Sequence, residues 1–286
     1  ETTIPVIQRG RGQVKRCYGW AVKRDHTRWC GNEPPAIVYV FKESRAGYNA
    51  VEILEGFSGH LHVDGYAGYN RLTEEDRPEG PVGLIYCWTH VRRRFERVIE
   101  KDGSRAAEAI KEMIDNLNNI ENKFKGQSPT ARLEARTRKS KPIVDRIFRK
   151  CESLVHQIPE RSNLRKEINY TLNLREGLTK FLEDGRFDFD NNLVENSIRK
   201  IAIGRNNFMF AGSIKGAEVW LAMTSICETC RLNRVSPELY FGWVLGSINE
   251  DVIKLLEQDT LSKRQERELL KFFNKLLPWN CPVGRY

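Results

Sequence analysis

The sequence predicts a mixed α/β fold interrupted by a long all-helical stretch, and three observations lead there. Short β-branched and aromatic runs, separated by Gly, Pro and Asn clusters, fill the first hundred residues. From about Ser104 the apolar spacing changes to threes and fours and stays that way. A chain of 286 residues with 40% hydrophobic content is long enough to bury one large domain with an insertion, or two domains.

The runs "TTIPVI", "CYGWAVK" and "AIVYVF" read as three meandering strands. "RAGYNAVEILEGF" follows as a helix, with Val51, Leu54 and Phe57 on one face and a stop at Gly56 or Gly59. "HLHVD" and "VGLIYC" are two further strands, and a helix follows them. Three meandering strands followed by helical crossovers predict one mixed sheet with an antiparallel start and a parallel end.

Three apolar stripes come next. Ala106, Ala109, Ile110, Met113, Ile114, Leu117, Ile120 and Phe124 form the first. Val144, Ile147, Phe148, Cys151, Leu154 and Val155 form the second, which Pro159 stops. Leu164, Ile168, Leu172, Leu178, Phe181 and Leu182 form the third, with Gly185 as its expected C-cap. The expected organisation is therefore a first sheet portion over 1–102, a helical insertion over 103–185, a second portion of the sheet domain over 186–232 and a C-terminal helical segment over 233–286. In the last, "VIKLLEQDTLSKRQERELLKFFNKLLPWNCPV" reads as two short amphipathic helices.

A net charge of +9 favours a polyanionic partner, since clustered Lys and Arg gain by releasing counterions from phosphate backbones. The seven cysteines are scattered and odd in number, unlike a disulfide framework, and point to a reducing cytoplasm. Cys227 and Cys230 form a lone CxxC inside an apolar helical segment and read as core thiols. No stretch has the apolar length of a membrane span, and the first residues lack a signal-peptide pattern.

Asp64 ends "HLHVD" before the glycine-containing loop "GYAGYN", at the kind of sheet edge where ligand sites collect. It also reads as a turn aspartate bonding its own backbone. Glu195 lies in "NNLVENSIRK", at the margin of a face marked by Val194, Ile198 and Ile201. A carboxylate at a strand end and another on a facing helix suit a hard divalent cation, which takes oxygen ligands. Paired cations of that kind can assist phosphodiester displacement. Arg199 and Lys200, just beyond the glutamate, could hold a nucleic-acid backbone, or form a solvated helix face. His90 and Arg92, Arg93 and Arg94 of "CWTHVRRRFERV" open a helix at the same sheet edge, where phosphate binding is plausible. Cys87 and His90 alone are too few for a metal site. The basic cluster "RTRKSKP" reads as a phosphate contact or an exposed linker.

Taken together, "HVDGYAGYNRL", "CWTHVRRRF", "DNNLVENSIRKIAIGRNNFMFAGS" with its "KGAE", and "SICETCRLNRVSPELYFGWVL" resemble successive blocks of the transposases of the insertion sequence 66 family, in order over nearly the whole chain. The resemblance implies a ribonuclease-H-like mixed sheet with flanking helices, interrupted by the helical insertion. It implies two aspartates and a glutamate that use Mg2+ or Mn2+ to cut and join DNA at transposon ends, by attack of water and then of a DNA 3′ hydroxyl.

On that likeness Asp64 matches the second aspartate and Glu195 the glutamate, and the two become the expected catalytic and metal-binding pair. Arg92, Arg93, Arg199, Lys200 and Arg205 become the expected DNA track. Asp190 and Asn191 are expected to cap and orient the glutamate helix. The first aspartate is expected in a block like "DETPV" immediately before Glu1, so the chain reads as a fragment lacking it along with upstream DNA-recognition regions. Valine precedes Glu195 where the family usually has alanine, and asparagine follows where it usually has arginine. A homodimer or higher oligomer on DNA in the bacterial cytoplasm is implied. The alternative is a catalytically incomplete, DNA-binding remnant; a helical scaffold without a nucleic-acid partner is a third reading.

Overall fold

The computed structural model describes residues 1–8, 13–258 and 260–284. They gather into two units, one of residues 1–25, 33–43 and 201–286 and the other of residues 26–32 and 44–200. The opening elements follow the predicted order: β1 (Thr2–Gln8), β2 (Gln13–Arg24), β3 (Ala36–Lys42), α1 (Gly47–Ile53), β4 (His60–Val63), β5 (Gly83–Tyr86) and α2 (Trp88–Asp102). The helical stretch contains α3 (Arg105–Lys123), α4 (Pro129–Ala135), α5 (Lys141–Val155), α6 (Asn163–Asn173) and α7 (Arg175–Thr179). Beyond it come α8 (Asn192–Phe208), α9 (Ile214–Leu232), α10 (Pro237–Ser247), α11 (Glu250–Leu256) and α12 (Lys263–Lys275).

The protein is α/β as predicted, but its strands form two sheets where one was expected. Among the described residues β1, β2 and β3 make an antiparallel meander, while β4 and β5 make a separate parallel pair. The outer edge of β1 is bonded by a distant segment of the same unit. Ala211 N donates to the Pro5 carbonyl at 2.8 Å and Ile7 N donates to the Ala211 carbonyl at 2.9 Å. The segment after α8 thus satisfies two backbone groups on the outer edge of β1. Pro5 is tolerated in β1 because β1 is an outer strand of its sheet.

In the first unit Ile4, Val6, Cys17, Ile37 and Tyr39 of the meander pack with Ala217 and Leu221 of α9. The outer edge of β3 is closed by hydroxyls of the same helix. Ile37 N donates to Thr229 Oγ1 at 3.2 Å, Thr229 Oγ1 donates to the Ile37 carbonyl at 3.0 Å, and Tyr39 N donates to Ser225 Oγ at 2.8 Å. Cys230 is buried with Val235, Tyr240 and Cys281, and burial pushes its thiol up to about 12. α12 begins with a reciprocal cap between Ser262 and Gln265.

In the second unit the predicted stripes largely face inward. Ile110, Ile114 and Leu117 of α3 and Val144, Ile147, Phe148 and Cys151 of α5 are buried together with Trp88, Phe95, Ile168 and Phe181. Ala107 is buried in the register expected of Ala106. The third stripe is broken at Leu174, where α6 ends and α7 begins. Gly185 is no C-cap: an added Cβ would come 1.8 Å from the Pro129 carbonyl oxygen, so its role is to let two backbones approach.

The basic cluster is helical and so no flexible linker, and it buries Arg136 while Arg138, Lys139 and Lys141 stay exposed. Arg136–Ser140 is a π-helical turn joining α4 to α5, and Arg136 is 1% exposed. Its Nε donates to Glu121 Oε1 at 2.8 Å and its Nη2 to Glu121 Oε2 at 2.6 Å. Its Nη1 donates to the carbonyls of Phe181 at 2.7 Å and Asp184 at 2.9 Å, and Nη2 also to that of Phe187 at 2.8 Å. These bonds use all five donors of the guanidinium.

Arg136→Ala would remove five hydrogen bonds from the Glu121 carboxylate and the carbonyls of Phe181, Asp184 and Phe187, and breaking a buried pair in this way costs about 3–5 kcal/mol. Arg136→Lys, with three donors and no planar fork, is expected to recover only part of that. Urea titrations of the helical signal measure both, and an Arg136→Ala loss below about 1 kcal/mol would mark the network as incidental.

Candidate functional site

The candidate site lies in the second unit, where the starts of α2 and α8 meet around Glu195. Cys87 is the extended residue that begins α2. Trp88 anchors this start: its backbone N donates to the Phe189 carbonyl at 3.1 Å and its indole N to the Leu178 carbonyl at 2.8 Å. Its ring lies parallel to that of Phe189, 6.2 Å away. The chain leading into α8 is held residue by residue. Arg136 takes the Phe187 carbonyl, His62 Nε2 bonds the Asp188 carbonyl at 2.8 Å, and Arg132 pairs with the Asp188 carboxylate at 3.1 Å.

Asp190 Oδ1 accepts from Arg28 Nη1 at 3.0 Å and from Asn192 N at 2.9 Å, which orients the first turn of α8. The Asn191 carbonyl accepts from Val194 N and Glu195 N, each at 3.1 Å.

Glu195, in the first turn of α8, has two oxygens in different settings. Oε2 accepts from Arg93 Nη1 at 2.9 Å. Oε1 lies 3.4 Å from His90 Nδ1, yet both atoms are buried and neither has a hydrogen-bond partner. His90 and Arg93 are three residues apart and so share one face of α2. The Cys87 sulfur completes the cluster: Cys87 Sγ, a His90 ring nitrogen and a Glu195 oxygen all lie within 4.8 Å of one another. Cys87 Sγ accepts from Asn191 N at 3.4 Å, and burial pushes the thiol up to about 11, so it is protonated at neutral pH. The sequence pointed to Cys87 and His90 but supplied only two ligands; the third comes from a helix more than a hundred residues later.

Asp64 follows β4 and accepts from Tyr66 N at 3.0 Å through Oδ1, the turn geometry that was one of its two readings. It does not join the Cys87–His90–Glu195 cluster. Above the same turn, the Tyr170 hydroxyl sits where a Cβ on Gly65 would be 2.2 Å away. Arg94 lies 3.6 Å over the Tyr170 ring and pairs with Glu167 at 2.8 Å.

The expected DNA track is divided. Arg92 is bonded to Asp115 and, at 3.0 Å, to Glu96. Arg93 Nη1 donates to Glu195 Oε2. Arg199 and Lys200 are exposed on α8. Arg205 donates to the Thr3 carbonyl at 2.8 Å. Among the described residues no helix is long and apolar enough to cross a membrane.

The family model described as "Transposase IS66 family" matches residues 1–219. The chain is similar to two proteins of Sinorhizobium fredii (strain NBRC 101917 / NGR234). One is "Uncharacterized protein y4jD", 33% identical over 282 residues, 98% of this chain and 52% of the relative. The other is "Uncharacterized protein y4qI", 35% identical over 283 residues, 98% of this chain and 50% of the relative. The chain spans about half the length of these relatives. No solved structure matches it.

His62 ties the site's pH behaviour to its scaffold. Burial lowers its pKa below the ordinary 6.5, outweighing the Asp188 carboxylate, which acts to raise it. A depressed folded pKa means that the stability contributed by the neutral ring is fully present above the unfolded value and is lost as pH falls from there through the folded one. Urea midpoints of the wild type are therefore expected to drop on acidification below pH 6.5. His62→Gln, which keeps a donor for Asp188, should flatten that slope; an unchanged slope would remove His62 as its source.

Proposed function

The chain belongs to the IS66 transposase family, and we propose that it carries the catalytic region of a DDE-type, ribonuclease-H-like DNA transposase that cuts and joins phosphodiester bonds at insertion-sequence ends. The observation that carries this reading is Glu195, a carboxylate at the start of α8 with one oxygen clamped by Arg93 and the other buried without a donor. A buried acceptor in that state is what a cation satisfies. In this proposal Asp64 and Glu195 hold magnesium or manganese, which supplies charge neutralisation at the phosphate undergoing displacement.

The chain's own residues do the positioning. Arg93 fixes the rotamer of Glu195 through Oε2 and leaves Oε1 as the oxygen that would meet a cation. The exposed Arg199 and Lys200 lie one turn further along α8 and are suited to DNA phosphates. Arg92 and Arg205, already bonded to protein groups, serve DNA by holding α2 and β1 in place. Two or more copies acting on paired ends, in the cytoplasm at the nucleoid, belong to the same proposal.

In the full-length protein, Asp64→Ala and Glu195→Ala are each expected to abolish magnesium-dependent cleavage and joining. Losing a group that stabilises developing charge costs roughly 10²–10³ in rate, and near-normal cleavage by either variant would end the assignment. Arg199→Ala is expected to weaken binding to all DNA sequences alike and to lower the salt slope by about 1. A slope identical to wild type would remove Arg199 from the phosphate contacts.

A further inference from the structure

We propose that Cys87, His90 and Glu195 form a binding site for a thiophilic divalent cation of the zinc class. The site takes the same Glu195 oxygen that the reading above gives to magnesium or manganese, so the two cations would compete for it, and its existence does not depend on that reading. The donor set is one sulfur, one imidazole nitrogen and one carboxylate oxygen, a mixture that zinc accepts and magnesium avoids.

The spacing is right for it. Bonds of about 2.3 Å to sulfur and about 2.0–2.2 Å to nitrogen and oxygen place tetrahedral ligand atoms roughly 3.5 Å apart. His90 Nδ1 and Glu195 Oε1 stand 3.4 Å apart, and Cys87 Sγ lies within 4.8 Å of a His90 ring nitrogen and a Glu195 oxygen. These two atoms are buried, close together and without hydrogen bonds, an arrangement that costs free energy unless something between them accepts both lone pairs. A divalent cation does this.

The surroundings are those of a built site. Cys87 is 2% exposed at the start of α2, and its sulfur accepts from the backbone N–H of Asn191. Arg93 on Oε2 is the outer-sphere partner that orients a ligating carboxylate. Two helix starts fix all three ligands, and the tetrahedron keeps a fourth position for water. On binding, the aqua ion loses water to the three protein ligands, the Cys87 S–H proton passes to solvent, and the metal–sulfur bond takes its place; no electron is transferred.

Cobalt(II) is the probe, added to the metal-stripped full chain. A thiolate-to-cobalt charge-transfer band in the near ultraviolet, with visible bands of tetrahedral intensity, is expected at one equivalent. Cys87→Ser should remove the ultraviolet band, while Cys30→Ser and Cys227→Ser should leave it. His90→Ala and Glu195→Gln should weaken binding by more than the roughly 10–100-fold that loss of an outer-sphere partner costs. These two variants carry the test if Cys87→Ser fails to fold by circular dichroism.

No band with saturating cobalt, or a band that survives the loss of Cys87, or of both His90 and Glu195, overturns the proposal. None of these measurements reads DNA cleavage. A failed transposase assignment and a failed metal site are therefore told apart.

Discussion

Buried inside the helical stretch, the guanidinium of Arg136 ties α3 to the segment from Phe181 to Phe187. It bridges the Glu121 carboxylate on α3 and the carbonyls of Phe181, Asp184 and Phe187, with every donor used. A buried cation is costly unless paired and fully hydrogen-bonded, and this one is both. The geometry that results is stiff, because a planar fork meeting five acceptors allows little freedom in any of them. The π-helical turn at Arg136–Ser140 is the local distortion that accompanies this placement.

From Phe187 the constraint passes along the chain toward the candidate site. His62 and Arg132 hold Asp188, Trp88 holds Phe189, and Arg28 holds Asp190. Four consecutive residues are thereby fixed before α8 begins, so the helix starts at a set position and Glu195 meets α2 at Arg93 and His90. Preorganisation of a carboxylate by its neighbours is what either a hard or a soft cation would require of this site. The glutamate's position is thus a property of the helical stretch as much as of its own helix.

The order of strands and helices in the first hundred residues was legible because period two and turn chemistry mark strands well. The stripes through Ile110, Ile114 and Leu117, and through Val144 and Ile147, were legible for the matching helical reason. Arg136 was not, since a basic run looks the same on a solvated face as around one buried member, and burial of a charge depends on distant acceptors. The division into two sheets was illegible, and so was Ala211, far along the chain, bonding the outer edge of β1, because pairing between distant segments leaves no local mark. Cys87 and His90 were visible as a pair. That Glu195 and Arg93 stand beside them is a tertiary fact with no local signature, and so is the Asp64 turn's remaining outside that cluster.

The hydroxyls of Ser225 and Thr229 along β3 bear on how the first unit can associate. An outer strand ordinarily offers a vacant rail of amides and carbonyls, on which a neighbouring molecule's strand can dock. At Ile37 and Tyr39 that rail is already occupied by the protein's own helix. A strand added along β3 would find these backbone groups taken, so the protein's own helix blunts that edge against sheet extension.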